Sequence, residues 1–316
     1  MSKPTSFRAN LLMLIAAAIW GFAFVAQKKG MDFIGPFTFN AARFGLGTIV
    51  LIPVLWFFYS RRKSSNELNA SHAAIQNIHT SLLPSIVLGF LLYCGIGFQQ
   101  TGMIYTTAGK AGFITGLYVL FVPLLGLFVA KKVNLPTWLG VGLALFGMYL
   151  LSIKPDAENF WSLEYGDVLI LCSAVFWSLH VLVADRFVQY NDALTLSFLQ
   201  FGFCAIFSLI TAIGFESIDL SLIAKAWVPI AYTGLLATAL AFTLQMLAQK
   251  EAHPTHVAII ISMEGVFAVI GGYLLLSEVM TARMLVGCGL ILGAMLLAQI
   301  PIAKKLEKKS DQDMLA

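Results

Sequence analysis

Long apolar runs separated by short polar breaks decide what this 316-residue chain can fold into. Ten stand out: Leu11–Gln27, Thr38–Phe58, Leu82–Met103, Ala108–Ala130, Leu135–Ile153, Tyr165–Ala184, Ala193–Ile213, Trp227–Ala248, Pro254–Ser277 and Ala282–Ile302. A bilayer's hydrocarbon core is about 30 Å thick and a helix rises about 1.5 Å per residue, so about 20 residues cross it. In hydrocarbon the backbone must satisfy its own N–H and C=O groups, which makes each such run a helix. Charged residues are 11% of the chain, against about 25% in soluble domains. The expected fold is an all-α polytopic membrane protein. A net charge of +4, carried in short loops and tails, excludes a nucleic-acid partner. The expected partners are the lipid bilayer and a small-molecule solute, with a monomer and a homodimer both open. No cofactor is implied.

The chain repeats. A shift of 157 sets Trp20 on Trp177 and Phe44-Gly45 on Phe201-Gly202. A shift of 147 sets Gly140 on Gly287, Gly142 on Gly289 and Leu150 on Leu297. A polar stretch from Arg61 to about Thr80, read as a loop, takes up the ten-residue slip, because its counterpart around Glu216–Lys225 is shorter. Residues 1–153 and 165–303 are thus read as two five-helix repeats, with 154–164 as connector and 304–316 as a charged tail. Five is odd, so the second copy must enter the membrane from the opposite side. That is the inverted-repeat plan of secondary transporters. Lys3 and Arg8 before the first run resemble a secretory signal. The run's internal counterpart makes it a retained helix instead.

Lys and Arg set the orientation. With the N-terminus cytoplasmic, the inner segments hold Lys3, Arg8, Arg61, Arg62, Lys63, Lys131, Lys132, Arg186, Lys250, Lys304, Lys305, Lys308 and Lys309. The outer ends hold Lys28, Lys29, Lys110, Lys154, Lys225 and Arg283. Thirteen against six predicts both termini inside, in a bacterial inner membrane with the connector periplasmic. Cys94, Cys172, Cys204 and Cys288 all fall in apolar runs without Cys-x-x-Cys spacing, the pattern of buried thiols.

Polar residues inside the runs are the functional candidates. Glu264 sits near the middle of Pro254–Ser277, where a lipid-facing carboxylate costs about 2.5–3.5 kcal/mol. It is expected to face the interior, either as a proton-coupling acid or as a protonated group bonded between helices. Asn40, Arg43 and Gly47 share a helical face, as do Ser197, Gln200 and Cys204 at the 157 shift. Arg43 has two readings, a snorkelling side chain or a bidentate anchor for a solute carboxylate. His180 is either a proton relay or a neutral side chain bonded between helices. Trp20 and Trp177 are read as cavity walls rather than interfacial belt residues, with Tyr93 and Tyr118 as further walls. Gln99, Gln100, Gln200 and Gln245 add neutral polar groups for solute binding or interhelical bonds. His253 and His256 are read as interface residues.

Three stretches resemble the drug/metabolite transporter superfamily, in particular its EamA-type members. They are Ile19-Trp20-Gly21 with Ala42-Arg43-Phe44, Thr106-Thr107-Ala108-Gly109, and Met263-Glu264-Gly265-Val266-Phe267 through Leu276-Ser277-Glu278. The resemblance spans about residues 11–302 and implies a ten-helix inverted-repeat carrier of small metabolites, often an exporter of amino acids or related compounds. Two departures stand out. Gly265 follows Glu264 where the family usually has Pro, and Ala130-Lys131-Lys132 stands where the second half has Leu276-Ser277-Glu278. No His-Glu-x-x-His, Gly-x-Ser-x-Gly or Walker loop occurs. The reading is therefore a secondary exporter working by alternating access, proton-coupled or by exchange, and not an enzyme. The rivals are a polytopic membrane enzyme or sensor and a passive channel.

Overall fold

The computed structural model describes residues 7–62, 67–126, 135–152, 164–251, 260–261 and 263–297, and every regular element among them is helical. His253, His256 and the tail lie outside the described residues. The elements are α1 (Phe7–Gly30), α2 (Pro36–Arg62), α3 (Glu67–Gly102), α4 (Ala108–Gly116), α5 (Tyr118–Gly126), α6 (Leu135–Ser152), α7 (Tyr165–Val188), α8 (Ala193–Phe215), α9 (Leu220–Lys225) and α10 (Trp227–Ala231). A π-helical segment (Tyr232–Phe242) follows, then α11 (Thr243–Glu251), α12 (Glu264–Leu276) and α13 (Ala282–Leu297). Six described stretches are long and apolar enough to cross a bilayer: Asn10–Gly30, Pro36–Phe58, Ile78–Gly102, Tyr165–Val188, Ala193–Phe215 and Trp227–Ala248. Four shorter apolar helices accompany them, at Ala108–Val122, Trp138–Leu150, Glu264–Leu276 and Ala282–Ala294.

Local chemistry sets the helix starts. Pro36 opens α2, where its missing N–H costs nothing. The side chain of Asp192 accepts from the Thr195 N–H at 3.0 Å and caps α8. Thr107 caps α4 through the Lys110 N–H at 3.2 Å. Two starts take their acceptor from far along the chain. The Glu216 carboxylate accepts from the N–H groups of Phe37 and Thr38, both at 2.8 Å, at the start of α2. The Glu278 carboxylate accepts from Ala108 N–H at 2.8 Å and Gly109 N–H at 3.1 Å, at the start of α4.

Packing is close because small residues meet at the crossings, as membrane helices require. α1 lies on α12, α12 on α4, α2 on α8, α3 on α7 and α8, and α6 on α13. A methyl group added at Gly21 would sit 2.7 Å from the Glu264 carbonyl oxygen. One added at Gly112 would sit 2.5 Å from Cβ of Ala268, and one at Gly147 would sit 2.8 Å from the Gly287 carbonyl. Such separations leave no room for any side chain but hydrogen. Large apolar side chains such as Trp56, Leu83, Ile210 and Leu274 point outward instead, as a bilayer-facing surface does.

Three expectations are corrected by the structure. The stretch up to Thr80 is not a loop, because α3 runs helical from Glu67. Its residues Glu67 to Leu83 include no Gly or Pro to stop a helix. The fourth run is two helices. Gly116 weakens the winding, and Leu117 N–H tightens onto the Ile114 carbonyl at 3.1 Å. The eighth run is the single span expected, Trp227–Ala248, wound as α10, the π segment and α11 without a break. Glu264 does not sit mid-helix either, since Met263 forms a turn and Glu264 occupies the first turn of α12. At the 147 shift Gly116 falls on Met263 and Leu117 on Glu264, so the fourth and ninth runs break at the same place.

Candidate functional site

The two breaks meet a cavity of about 570 Å³ of empty volume, counting its open mouth. α1 contributes Trp20, Ala23, Phe24 and Gln27; α2 contributes Arg43; α3 contributes Ile96 and Gln99. Tyr118, just past the first break, and Glu264, just past the second, line it as well. Trp177 and Val181 of α7, with Ala237, Thr238 and Phe242 of the π segment and Gln245 of α11, close the other side.

Two ionisable side chains face this space. Arg43 is 3% exposed and Glu264 is 5% exposed. That burial removes snorkelling for Arg43, whose guanidinium lies 4.7 Å from the Phe44 ring centre and 5.9 Å from that of Phe39. Neither group takes part in an ion pair among the described residues. Cation–π contact offsets part of the cost of burying a guanidinium but supplies no acceptor for its N–H groups. Six buried polar atoms of the lining have no protein partner among the described residues: Gln27 Oε1, Arg43 Nε, Tyr118 Oη, Trp177 Nε1, Gln245 Oε1 and Glu264 Oε1. Buried polar atoms are bonded in the great majority of cases, so six around one cavity mark it as a space for water or a polar solute.

Seven predicted residues therefore come together: Trp20, Arg43, Gln99, Tyr118, Trp177, Gln245 and Glu264. Gln99 is held by its amide, which donates to Thr115 Oγ1 at 3.1 Å. Four others stand off the lining. Tyr93 Oη and Thr211 Oγ1 lie 2.7 Å apart. Gln100 donates to the Gln27 carbonyl at 3.2 Å. His180 Nε2 and Gln200 Oε1 lie 2.9 Å apart, both buried, and His180 lies behind the lining, against the rings of Phe242 and Trp177. The polar stripes Asn40/Arg43/Gly47 and Ser197/Gln200/Cys204 are interior as expected, on α2 and α8, which pack together.

The profile of the EamA-like transporter family matches this sequence twice, over residues 7–153 and 164–299. The chain belongs to the EamA-like transporter family. An uncharacterized transporter of Archaeoglobus fulgidus is 29% identical over 93% of this chain and 86% of its own length. The uncharacterized transporter YoaV of Bacillus subtilis is 24% identical over 90% of this chain and 94% of its own. A WAT1-related chloroplastic protein of Arabidopsis thaliana is 25% identical over 89% of this chain and 67% of its own. A crystal structure of another protein superposes with a TM-score of 0.63 at 20% identity, covering 95% of this chain and 98% of that one, a likeness of fold. This EamA-family chain is a multi-pass membrane protein of a transporter family.

Sequence reasoning missed an ionic cluster in this family member. The Lys110 ammonium, on α4, lies 2.8 Å from Glu164 Oε2 and 2.9 Å from Asp167 Oδ2 of α7. Thr106 Oγ1 donates to Asp167 Oδ1 at 2.7 Å. Beside it the Lys28 ammonium donates to the carbonyls of Met103 at 2.6 Å and Thr106 at 2.9 Å, just past the end of α3. In the sequence Lys110 reads as one of the outer-end charges, and only the three-residue spacing of Glu164 and Asp167 hints at a partner. No group of three or more His, Cys, Asp or Glu side chains forms a metal site among the described residues.

Proposed function

We propose that the protein is a secondary carrier that exports a small zwitterionic solute, an amino acid or a related compound, by alternating access. The carrying observation is one cavity that presents an unpaired guanidinium and an unpaired carboxylic acid beside two helix breaks at equivalent positions. A carboxylate seated on Arg43 and an ammonium seated on Glu264 satisfy both groups at once. Discontinuous helices around a central site are the working part of inverted-repeat carriers. The ten-helix inverted plan draws support from the pairing of helices. Exchanging the halves turns α3 on α7 into the π segment on α1, and α3 on α8 into the π segment on α2, all of which are packed pairs. Glu264 is assigned the proton-coupling role, with His180 behind it, and Trp20, Gln99, Tyr118, Trp177 and Gln245 bind the solute. Gln100 and Gln200 act in the layer that supports that binding. The charge count supports cytoplasmic termini in a bacterial inner membrane.

The test is counterflow of labelled L-amino acids in proteoliposomes holding the purified protein. The natural chain is expected to exchange at least one of them. Arg43→Ala is expected to lower its apparent affinity about tenfold or more, the loss of a charge-assisted bond worth about 1.5–3 kcal/mol, and Arg43→Lys less. Unchanged counterflow by a folded Arg43→Ala protein would sink the carboxylate-anchor role.

A further inference from the structure

We infer that Phe242 is a specificity-determining residue, setting how large the apolar part of the solute can be. The inference rests on the amino-acid reading above. Phe242 is 5% exposed and lines the cavity. Its ring centre lies 4.9 Å from that of Trp20, edge-on, and 5.8 Å from that of Trp177, stacked at 22°. Phe201 lies 5.6 Å away and Phe44 6.5 Å. Among the described residues it is the one ring paired with both tryptophan walls, and Phe44 beside it is the ring that the Arg43 guanidinium covers. A solute held by its charged end on Arg43 has its apolar end against this floor.

The π winding is what aims the floor. Phe242 closes the π segment, and Ala237 and Thr238 of the same segment also line the cavity. Ala237 and Phe242 are five residues apart. In an α-helix, at 3.6 residues per turn, they would point about 140° apart. A π turn, bonded i to i+5, brings them to one face. Two bonds from α1 hold the segment in place. Trp20 Nε1 donates to the Ala237 carbonyl at 2.9 Å, and Tyr232 Oη donates to the Ile19 carbonyl at 3.1 Å. The indole that walls the cavity therefore also pins the backbone that carries its floor.

The experiment measures counterflow of L-alanine, L-leucine, L-phenylalanine and L-tryptophan by the natural chain and by Phe242→Ala, Phe242→Leu and Phe242→Trp, all in proteoliposomes. The readout is the ratio of kcat/KM for tryptophan over alanine. Phe242→Ala and Phe242→Leu are expected to raise it about tenfold, within the range an apolar pocket gives for a methylene or more. Phe242→Trp is expected to lower it. Phe242→Leu keeps the test open if the alanine variant does not fold. A fall in all four rates with the ratio unchanged marks a merely structural ring and overturns the inference alone. Absence of counterflow for all four by the natural chain overturns this inference, and absence for every L-amino acid overturns the amino-acid reading with it.

Discussion

Arg43 and Glu264 are close enough to share a cavity and too far apart to neutralise each other. On the proposed reading, that geometry makes each a demand on the solute rather than on the protein. Glu264→Gln keeps the shape and the hydrogen-bonding capacity of the side chain and removes its ability to ionise. In proteoliposomes this variant is expected to retain exchange of solute across the membrane and to lose accumulation driven by an imposed pH gradient. Accumulation at the natural level, at matched protein content, removes Glu264 from the coupling step. Most of the charged and aromatic lining was legible in the sequence, because an ionisable group in an apolar run has few places to go. Lys110 was not, since its partners are 54 residues or more away and its own position looked like a helix end. Phe242 was not either. Among 25 phenylalanines in a mostly apolar chain, nothing local separates a cavity floor from ordinary packing.

At the scale of elements, apolar run length gave the helices and hid their internal breaks. Hydropathy reports that a stretch belongs in the bilayer, and α and π windings of the same residues are equally apolar. The divergence of Leu276-Ser277-Glu278 from the first half now has a physical account. Ser277 ends α12 in the left-handed region, at φ 55°, and the turn that follows delivers Glu278 to the open N–H groups of α4. An anion at a helix start is favoured by the dipole as well as by its two hydrogen bonds. Glu278→Ala is therefore expected to cost about 1–2 kcal/mol. Thermal unfolding in detergent reads that as a midpoint lowered by a few degrees, with Glu278→Gln in between. An unchanged midpoint for Glu278→Ala would mean that water replaces the cap at no loss.

At the scale of the whole molecule, the charge asymmetry predicts sidedness. Reporter fusions after Ala316 and within 154–164 are expected to report opposite sides of the membrane. Agreement between them breaks either the ten-span count or the inverted plan. The two long-range caps carry a consequence for how the chain is made. Thr38 receives its carboxylate from a residue 178 positions later, and Gly109 from one 169 positions later. At about 5–20 residues per second, a ribosome needs roughly 10–35 s to deliver each of them. During that interval the first half is already synthesised with two helix starts open, and only the arriving second half closes them. A message truncated in the connector leaves both helix starts open in the half-molecule it releases, which is expected to be cleared by membrane proteolysis faster than the full chain in a pulse-chase.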